Sequence, residues 1–208
     1  MNSQNIIDIS PTISSQLAVF PGDKKFTRHE VLDFKKGDHL KLSWAEGSLH
    51  LGAHVDASNH YHQNGKGINE VDLSTYLGDC QVIEVPKVKR IGVDDLKNKH
   101  ISSSRILFKT SSFPDPNTWN HDFSALSPEL IEYLVKKGVK LVGIDTPSID
   151  PANDQDLLSH KAVYKNKMAI LEGIILEHVH PGLYFLSALP LKIKDADASP
   201  VRAILWQK

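Results

Sequence analysis

The segment 48–67, SLHLGAHVDASNHYHQNGKG, restricts the fold more than any other part of the chain. It places His50, His54, Asp56, His60 and His62 within thirteen positions, among residues that are mostly small or apolar. His50, His54 and Asp56 follow the pattern H-x-x-x-H-x-D. On a helix the two imidazoles share a face, but Asp56 is rotated about 200° from His54 and cannot join them. On a flat strand all three share a face, yet His50 and His54 are then ~13 Å apart. One ion held at ~2.0 Å by each ring nitrogen cannot span that distance. The geometry closes if the chain bends sharply between the histidines. Gly52 stands there, free to take dihedrals closed to other residues, with small Ala53 beside it.

Two imidazoles and one carboxylate leave a coordination position open for water, as in a catalytic metal site, whereas structural zinc usually closes its shell with cysteines. The chain has one cysteine, Cys80. His60 continues the even offset from Asp56. A neutral imidazole with a pKa near 6.5 beside a metal site is suited to carrying protons rather than to binding. His62 is expected to be a bystander. His29, His39, His100, His121, His178 and His180 are expected at the surface or satisfied in the core.

The rest of the composition narrows the function classes. At 208 residues the chain can bury one sizeable core, 1–208, without disulfides. A net charge of -1 excludes a broad electrostatic footprint for nucleic acid. The densest basic run, KVKR at 87–90, is expected to be a solvated loop face offset by Asp94 and Asp95. Cys80, in the apolar run CQVIEV, is expected as a small buried residue in a reducing compartment. No run approaches the ~20 apolar residues of a membrane span, and no secretory leader is evident, so a cytoplasmic location is expected.

NIIDIS, FTRHEVLDF and LKLSW read as strands, forming a β-layer with tight turns at FPGD and KKGD. INEVDLSTYLGD reads as a short helix or helical turn closed by Gly78, and VDDLKNK as a polar helical piece between the strands CQVIEV and RILFKT. SPELIEYLVKKG is the clearest helix, with Ser127 as N-cap, Pro128 in the first turn and Gly138 at the end. VKLVGIDT, apolar on both faces, reads as a central buried strand, followed by a loop and a second helix around LLSHKAVYKN. MAILEG, GLYFLSA and RAILWQ complete the strands. The expected fold class is α/β, with a mixed β-sheet and a few packed helices. The pattern lacks the strict alternation of a doubly wound parallel sheet. No G-x-G-x-x-G, P-loop or G-x-S-x-G motif is present.

HLGAHVDASNH resembles the H-x-G-T-H-x-D-x-P-x-H signature of the cyclase and kynurenine formamidase superfamily. DISPTISSQLAVFPGD resembles its N-terminal opening, LSPELIEYLVKKGVKLVGIDTPSIDP its central helix and strand, and SHKAVYKNKMAILEGIILEHV its downstream ligand segment. The resemblance covers nearly the whole chain, and the compact length is similar to that of the bacterial kynurenine formamidases rather than longer relatives such as isatin hydrolases. It implies a swivelling β/β/α fold with two zinc ions per subunit, although Mn, Fe or Co would suit the same donors. By resemblance His50 and His54 hold one zinc, His160 the second, Asp56 and Glu172 bridge the pair, and His60 is the proton donor and acceptor. Phe20, before PGD, would line the substrate pocket. A carboxylate at Glu172, inside MAILEGIIL, is costly unless paired or metal-bound.

The implied reaction is hydrolysis of N-formyl-L-kynurenine to L-kynurenine and formate in tryptophan degradation. A homodimer or larger homo-oligomer is implied, with a small-molecule substrate and neither nucleic acid nor membrane as partner. The sequence departs from the pattern at Phe20, commonly Trp, at Ala53, usually Thr, and at Ser58, usually Pro. Two other readings stay open: an amide or cyclic-amide hydrolase or cyclase with another substrate, and a non-catalytic metal- or small-molecule-binding protein.

Overall fold

The computed structural model describes residues 6–86 and 88–207. Asn5 of the first expected strand and Lys87 of the basic run lie outside them; Lys89 and Arg90 of that run are exposed. The strands are β1 (Ile6–Asp8), β2 (Thr27–Leu32), β3 (Leu42–Glu46), β4 (His54–Asp56), β5 (Leu77–Glu84), β6 (Arg90–Ile91), β7 (Arg105–Lys109), β8 (Ala125–Leu126), β9 (Leu141–Ile144), β10 (Ala169–Glu172), β11 (Gly182–Ser187), β12 (Ala198–Pro200) and β13 (Ile204–Trp206). The helices are α1 (Pro128–Lys136) and α2 (Leu158–Lys165).

Nine strands form one mixed sheet in the order β1-β13-β11-β5-β7-β9-β10-β4-β12. Its centre, β5-β7-β9-β10, is parallel, and the flanks are antiparallel. The apolar runs alternate between two cores, because successive side chains on a strand point to opposite faces. Ile83, Ile106, Phe108, Val142 and Ile170 meet Leu130, Ile131 and Leu134 of α1 and Val163 of α2. On the other face Val82, Leu107, Leu141 and Leu171 pack with Val55 of β4 and with Tyr184, Leu186 and Leu205 of β11 and β13. Residues from both flanks share this second core, so the sheet curls around it. The result is a single α/β domain with a mixed sheet.

α1 forms where its sequence says it should. Ser127 Oγ accepts from the Leu130 amide, Pro128 opens the first turn, and Gly138 takes φ 83° beyond the end. β9, apolar on both faces, is buried throughout. Cys80 is buried and unpaired by a disulfide.

Two expectations change. INEVDLSTYLGD forms two separate 3-10 turns, Ile68–Glu70 and Leu73–Thr75, and Gly78 lies inside β5 rather than closing a helix. Its apolar residues lack a helical run long enough to outweigh the strand pairing of residues 77–84. The polar helical piece at VDDLKNK forms as a 3-10 turn, Val93–Leu96. The N-terminal β-layer divides: β1 joins the main sheet, while β2 and β3 form a separate two-stranded hairpin whose β3 is exposed along its length. Finally, β4 and β12 are too short, and too rich in polar residues, to register as strands in the sequence.

Candidate metal centre

Two glycines build the base of the site. Gly52 takes φ 59°, and a Cβ there would stand 3.0 Å from Pro11 Cγ and 3.1 Å from Leu17 Cδ2. Immediately after this turn the chain enters β4, so His54 and Asp56, two residues apart, face the same side. Antiparallel pairing with β10 sets Glu172 directly opposite His54. Gly173 then turns away at φ 64°; a Cβ there would lie 2.1 Å from Gly52 O. The backbones of the two ligand-bearing segments can approach this closely only because both turns are glycine.

Asp56 and Glu172 lie between two imidazoles. His54 Nε2 is 3.6 Å from Asp56 Oδ1 and 3.3 Å from Glu172 Oε2. His160 Nε2, brought in by α2, is 3.4 Å from Asp56 Oδ2 and 3.7 Å from Glu172 Oε1. Each carboxylate therefore turns one oxygen to each side. His50 Nδ1 joins the His54 side, 3.1 Å from Asp56 Oδ1. Ligand atoms of His54, Asp56 and Glu172 lie within 4.8 Å of one another, as do those of His50, Asp56 and His60, close enough to hold a cation. His62 is outside the cluster, stacked on Tyr164 with ring centroids 3.7 Å apart.

The remaining ring nitrogens have partners that fix the tautomers. His54 Nδ1 donates to Gly52 O at 2.8 Å, and His160 Nδ1 to Asp150 Oδ2 at 2.7 Å. His50 Nε2 stands 3.1 Å from Asp197 Oδ2. Each imidazole thus turns a lone pair to the centre, the usual arrangement of metal-binding histidine. His54 Nε2 and both Asp56 oxygens are buried with no hydrogen-bond partner. Buried polar atoms left this way are costly, and a divalent cation would satisfy all of them. The donor set fits a metal such as zinc.

Burial works against the charged form of His50, but Asp56 and then Asp197 hold it up at about 9. His160 is likewise raised against burial, by Asp150 and Asp56, to about 10. Burial raises the cost of an ionised Asp56, but the facing imidazoles of His160, His50 and His54 hold it well below the ordinary carboxylate range. His60 behaves differently: burial pushes it below its ordinary value, with Asp56 opposing. Its ring lies 4.1 Å from that of His50 and 6.3 Å from that of His160.

A cleft of about 680 Å³ opens over the cluster, within the range of small-molecule sites. Phe20 lines it, packed edge-on against Trp119 with centroids 5.0 Å apart, and Phe113 extends the aromatic wall. Among the described lining residues there are acidic side chains but neither Lys nor Arg. Ser58, at the proline position of the signature, accepts from the Lys66 amide at 2.8 Å and closes the loop beyond the site.

Sequence reasoning missed Asp150, Asp197 and Trp119. Asp150 carries a faint signal, a carboxylate between Ile149 and Pro151. Its fully buried side chain accepts from the amides of Ser159 and His160 as well as from the His160 ring, so it caps α2 and aims that ring together.

Fold and cluster together define the class: an α/β domain carrying a candidate metal centre at the base of an aromatic-walled cleft. The comparisons narrow this further. The model of a family described as "Putative cyclase" matches residues 7–151, and the chain belongs to this cyclase family. It is 34% identical over 206 residues to the kynurenine formamidases of Bacillus anthracis and of a Bacillus cereus strain, covering 99% of this chain and of each relative. A solved structure from Bacillus stearothermophilus, described as a "predicted metal-dependent hydrolase", superposes with a TM-score of 0.84 at 26% identity, covering 98% of both chains. Isatin hydrolase A from Labrenzia aggregata shares the fold, with a TM-score of 0.82 at 20% identity over 96% of this chain and 92% of that one.

Proposed function

We propose that the chain is a zinc-dependent arylformamidase that hydrolyses N-formyl-L-kynurenine to L-kynurenine and formate. The observation that carries this reading is the orphaned pair of Asp56 oxygens between His54 and His160, at the base of a cleft walled by Phe20 and Trp119. Full-length similarity to kynurenine formamidases supports the choice of substrate.

His50 and His54 would hold one ion and His160 a second, with Asp56 and Glu172 bridging. When bound, such ions supply Lewis acidity and make hydroxide available near neutral pH. His60, held below its ordinary pKa by burial, is neutral at pH 7 and takes the proton of the attacking water. It then delivers that proton to the aryl nitrogen as the C–N bond breaks, because an amide anion leaves poorly. Phe20 and Trp119, packed edge-on against each other, offer the aromatic ring of the substrate one continuous apolar wall. The acidic lining, free of Lys and Arg among its described residues, suits the ammonium of the amino-acid arm.

The reading places the enzyme in the cytoplasm, consistent with a buried reduced Cys80. No helix among the described residues is long and apolar enough to cross a membrane. It also makes the protein a homodimer or larger homo-oligomer. The β2–β3 hairpin supports this, with Val31 50%, Phe34 66%, Leu42 50% and Trp44 52% exposed.

The test follows the loss of N-formylkynurenine absorbance with purified protein and supplied zinc. Turnover that drops about 100-fold or more in His60→Ala, with metal content unchanged, is expected. A metal-loaded protein that leaves N-formylkynurenine intact but opens cyclic amides would replace the substrate and keep the centre.

A further inference from the structure

One carboxylate stands between the metal-facing His50 and the proton-carrying His60. Asp197 Oδ2 is 3.1 Å from His50 Nε2 and 3.8 Å from His60 Nδ1. The fold holds Asp197 there by its backbone. Its carbonyl accepts from the Ala57 amide at 2.8 Å, and the next residue, Ala198, pairs with Asp56 in the β12–β4 ladder. The preceding turn is tied to the same loop: Ile68 N donates to Ala196 O, Asn59 Nδ2 to Asp195 O, and Asp195 N to Asn69 Oδ1. Asp195 itself takes φ 55°, a strained conformation for a residue with a side chain, kept by these contacts. The edge strand is thus anchored at both ends to the segment that carries His54, Asp56 and His60.

We propose that Asp197 is a positioning residue that serves both histidines, an inference that rests on the function proposed above for its activity arm alone. Toward His50 it accepts the Nε2 proton, which fixes the tautomer whose Nδ1 lone pair faces Asp56 and the centre. Toward His60 it accepts the Nδ1 proton, leaving Nε2 to take a proton from water and return one to the leaving nitrogen. The 3.8 Å gap closes to a hydrogen bond when substrate packs against the ring, since such contacts commonly tighten only in the complex. A negative charge at this place also stabilises His60 while it carries the proton. The side chain is 48% exposed, so its truncation leaves no buried cavity.

The experiment compares Asp197→Ala, Asp197→Asn, His60→Ala and the double variant Asp197→Ala/His60→Ala with the wild type. Affinity is measured by cobalt(II) titration read from its visible absorption, and hydrolysis as separate kcat and KM. Asp197→Ala is expected to bind cobalt about 10- to 100-fold more weakly and to lose kcat at saturating metal with little change in KM. Asp197→Asn still offers an oxygen to His50, so cobalt affinity returns while kcat stays low for want of the charge. In the His60→Ala background, Asp197→Ala costs no further kcat. Unchanged cobalt affinity in Asp197→Ala, or an undiminished kcat loss in the His60→Ala background, overturns the proposal. A wild type that binds cobalt but does not turn over the formamide sinks the substrate reading, while the cobalt arm still decides the role toward His50. Thermal melts of all variants matching the wild type confirm that folding is not the cause.

Discussion

His160 is the least conspicuous member of the site. Nothing in SHKAVY distinguishes it from an ordinary helix histidine, and only the family resemblance singles it out. The reason is physical: its partner Asp150 lies ten residues earlier, and the loop between them is what aims the ring. Glu172 is more legible, because a carboxylate ending an apolar strand needs a counter-charge, and the structure places it 3% exposed among imidazoles. Asp150 carries a prediction at this scale. Asp150→Ala removes the acceptor of the Ser159 amide, the His160 amide and the His160 ring. Metal affinity should fall about 10- to 100-fold, and the apo protein should lose about 2–3 kcal/mol. Metal titration and urea unfolding on the same variant check this; wild-type values in both would show that His160 needs no partner.

Elements that depend on their own sequence are legible in it, and elements that depend on distant pairing are not. α1 carries its cap, its amphipathic stripe and its terminating glycine within a dozen residues, so its ends can be placed from sequence. β4 spans His54–Asp56 and exists only because β10 and β12 flank it. No local propensity announces a strand that carries the candidate ligands themselves. The bend at Gly52 is legible because ligand spacing demands it; the matching turn at Gly173 is not, since its need arises from Gly52 O across the sheet. Gly173→Ala tests that pinch. A Cβ 2.1 Å from a carbonyl oxygen forces the β4 and β10 backbones apart, at a position where φ is 64°. The variant should unfold about 3 kcal/mol more easily and lose its metal. Urea unfolding with metal analysis decides it: a variant as stable and as metal-loaded as wild type would show that the two segments tolerate separation.

For the molecule as a whole, composition indicates one α/β core, but the curl of the sheet cannot be read from it, because the curl emerges from flanks that share a core only after folding. One clasp on that curl titrates. Burial opposes ionisation of Asp8, but Arg202, donating at 2.8 Å, and the Ser10 amide hold its carboxyl below the ordinary range. A lowered carboxylate contributes stability that is complete above its unfolded value of ~3.9 and is lost as pH falls through the folded value. Arg202→Met should therefore lower the unfolding midpoint at pH 7 modestly, the pair being exposed and sensitive to salt. The gap from wild type should close in acid, below pH ~4. A gap that persists at low pH would assign the effect to packing of the Arg202 stem.

The central claim joins a metal centre to one hydrolytic reaction, and one preparation tests both halves: metal content by elemental analysis together with N-formylkynurenine turnover before and after chelation. The account predicts two equivalents of divalent metal per chain, turnover that disappears on removal of the metal, and recovery when zinc is returned. Stoichiometric metal with no turnover of the formamide, or turnover that survives its removal, would contradict it.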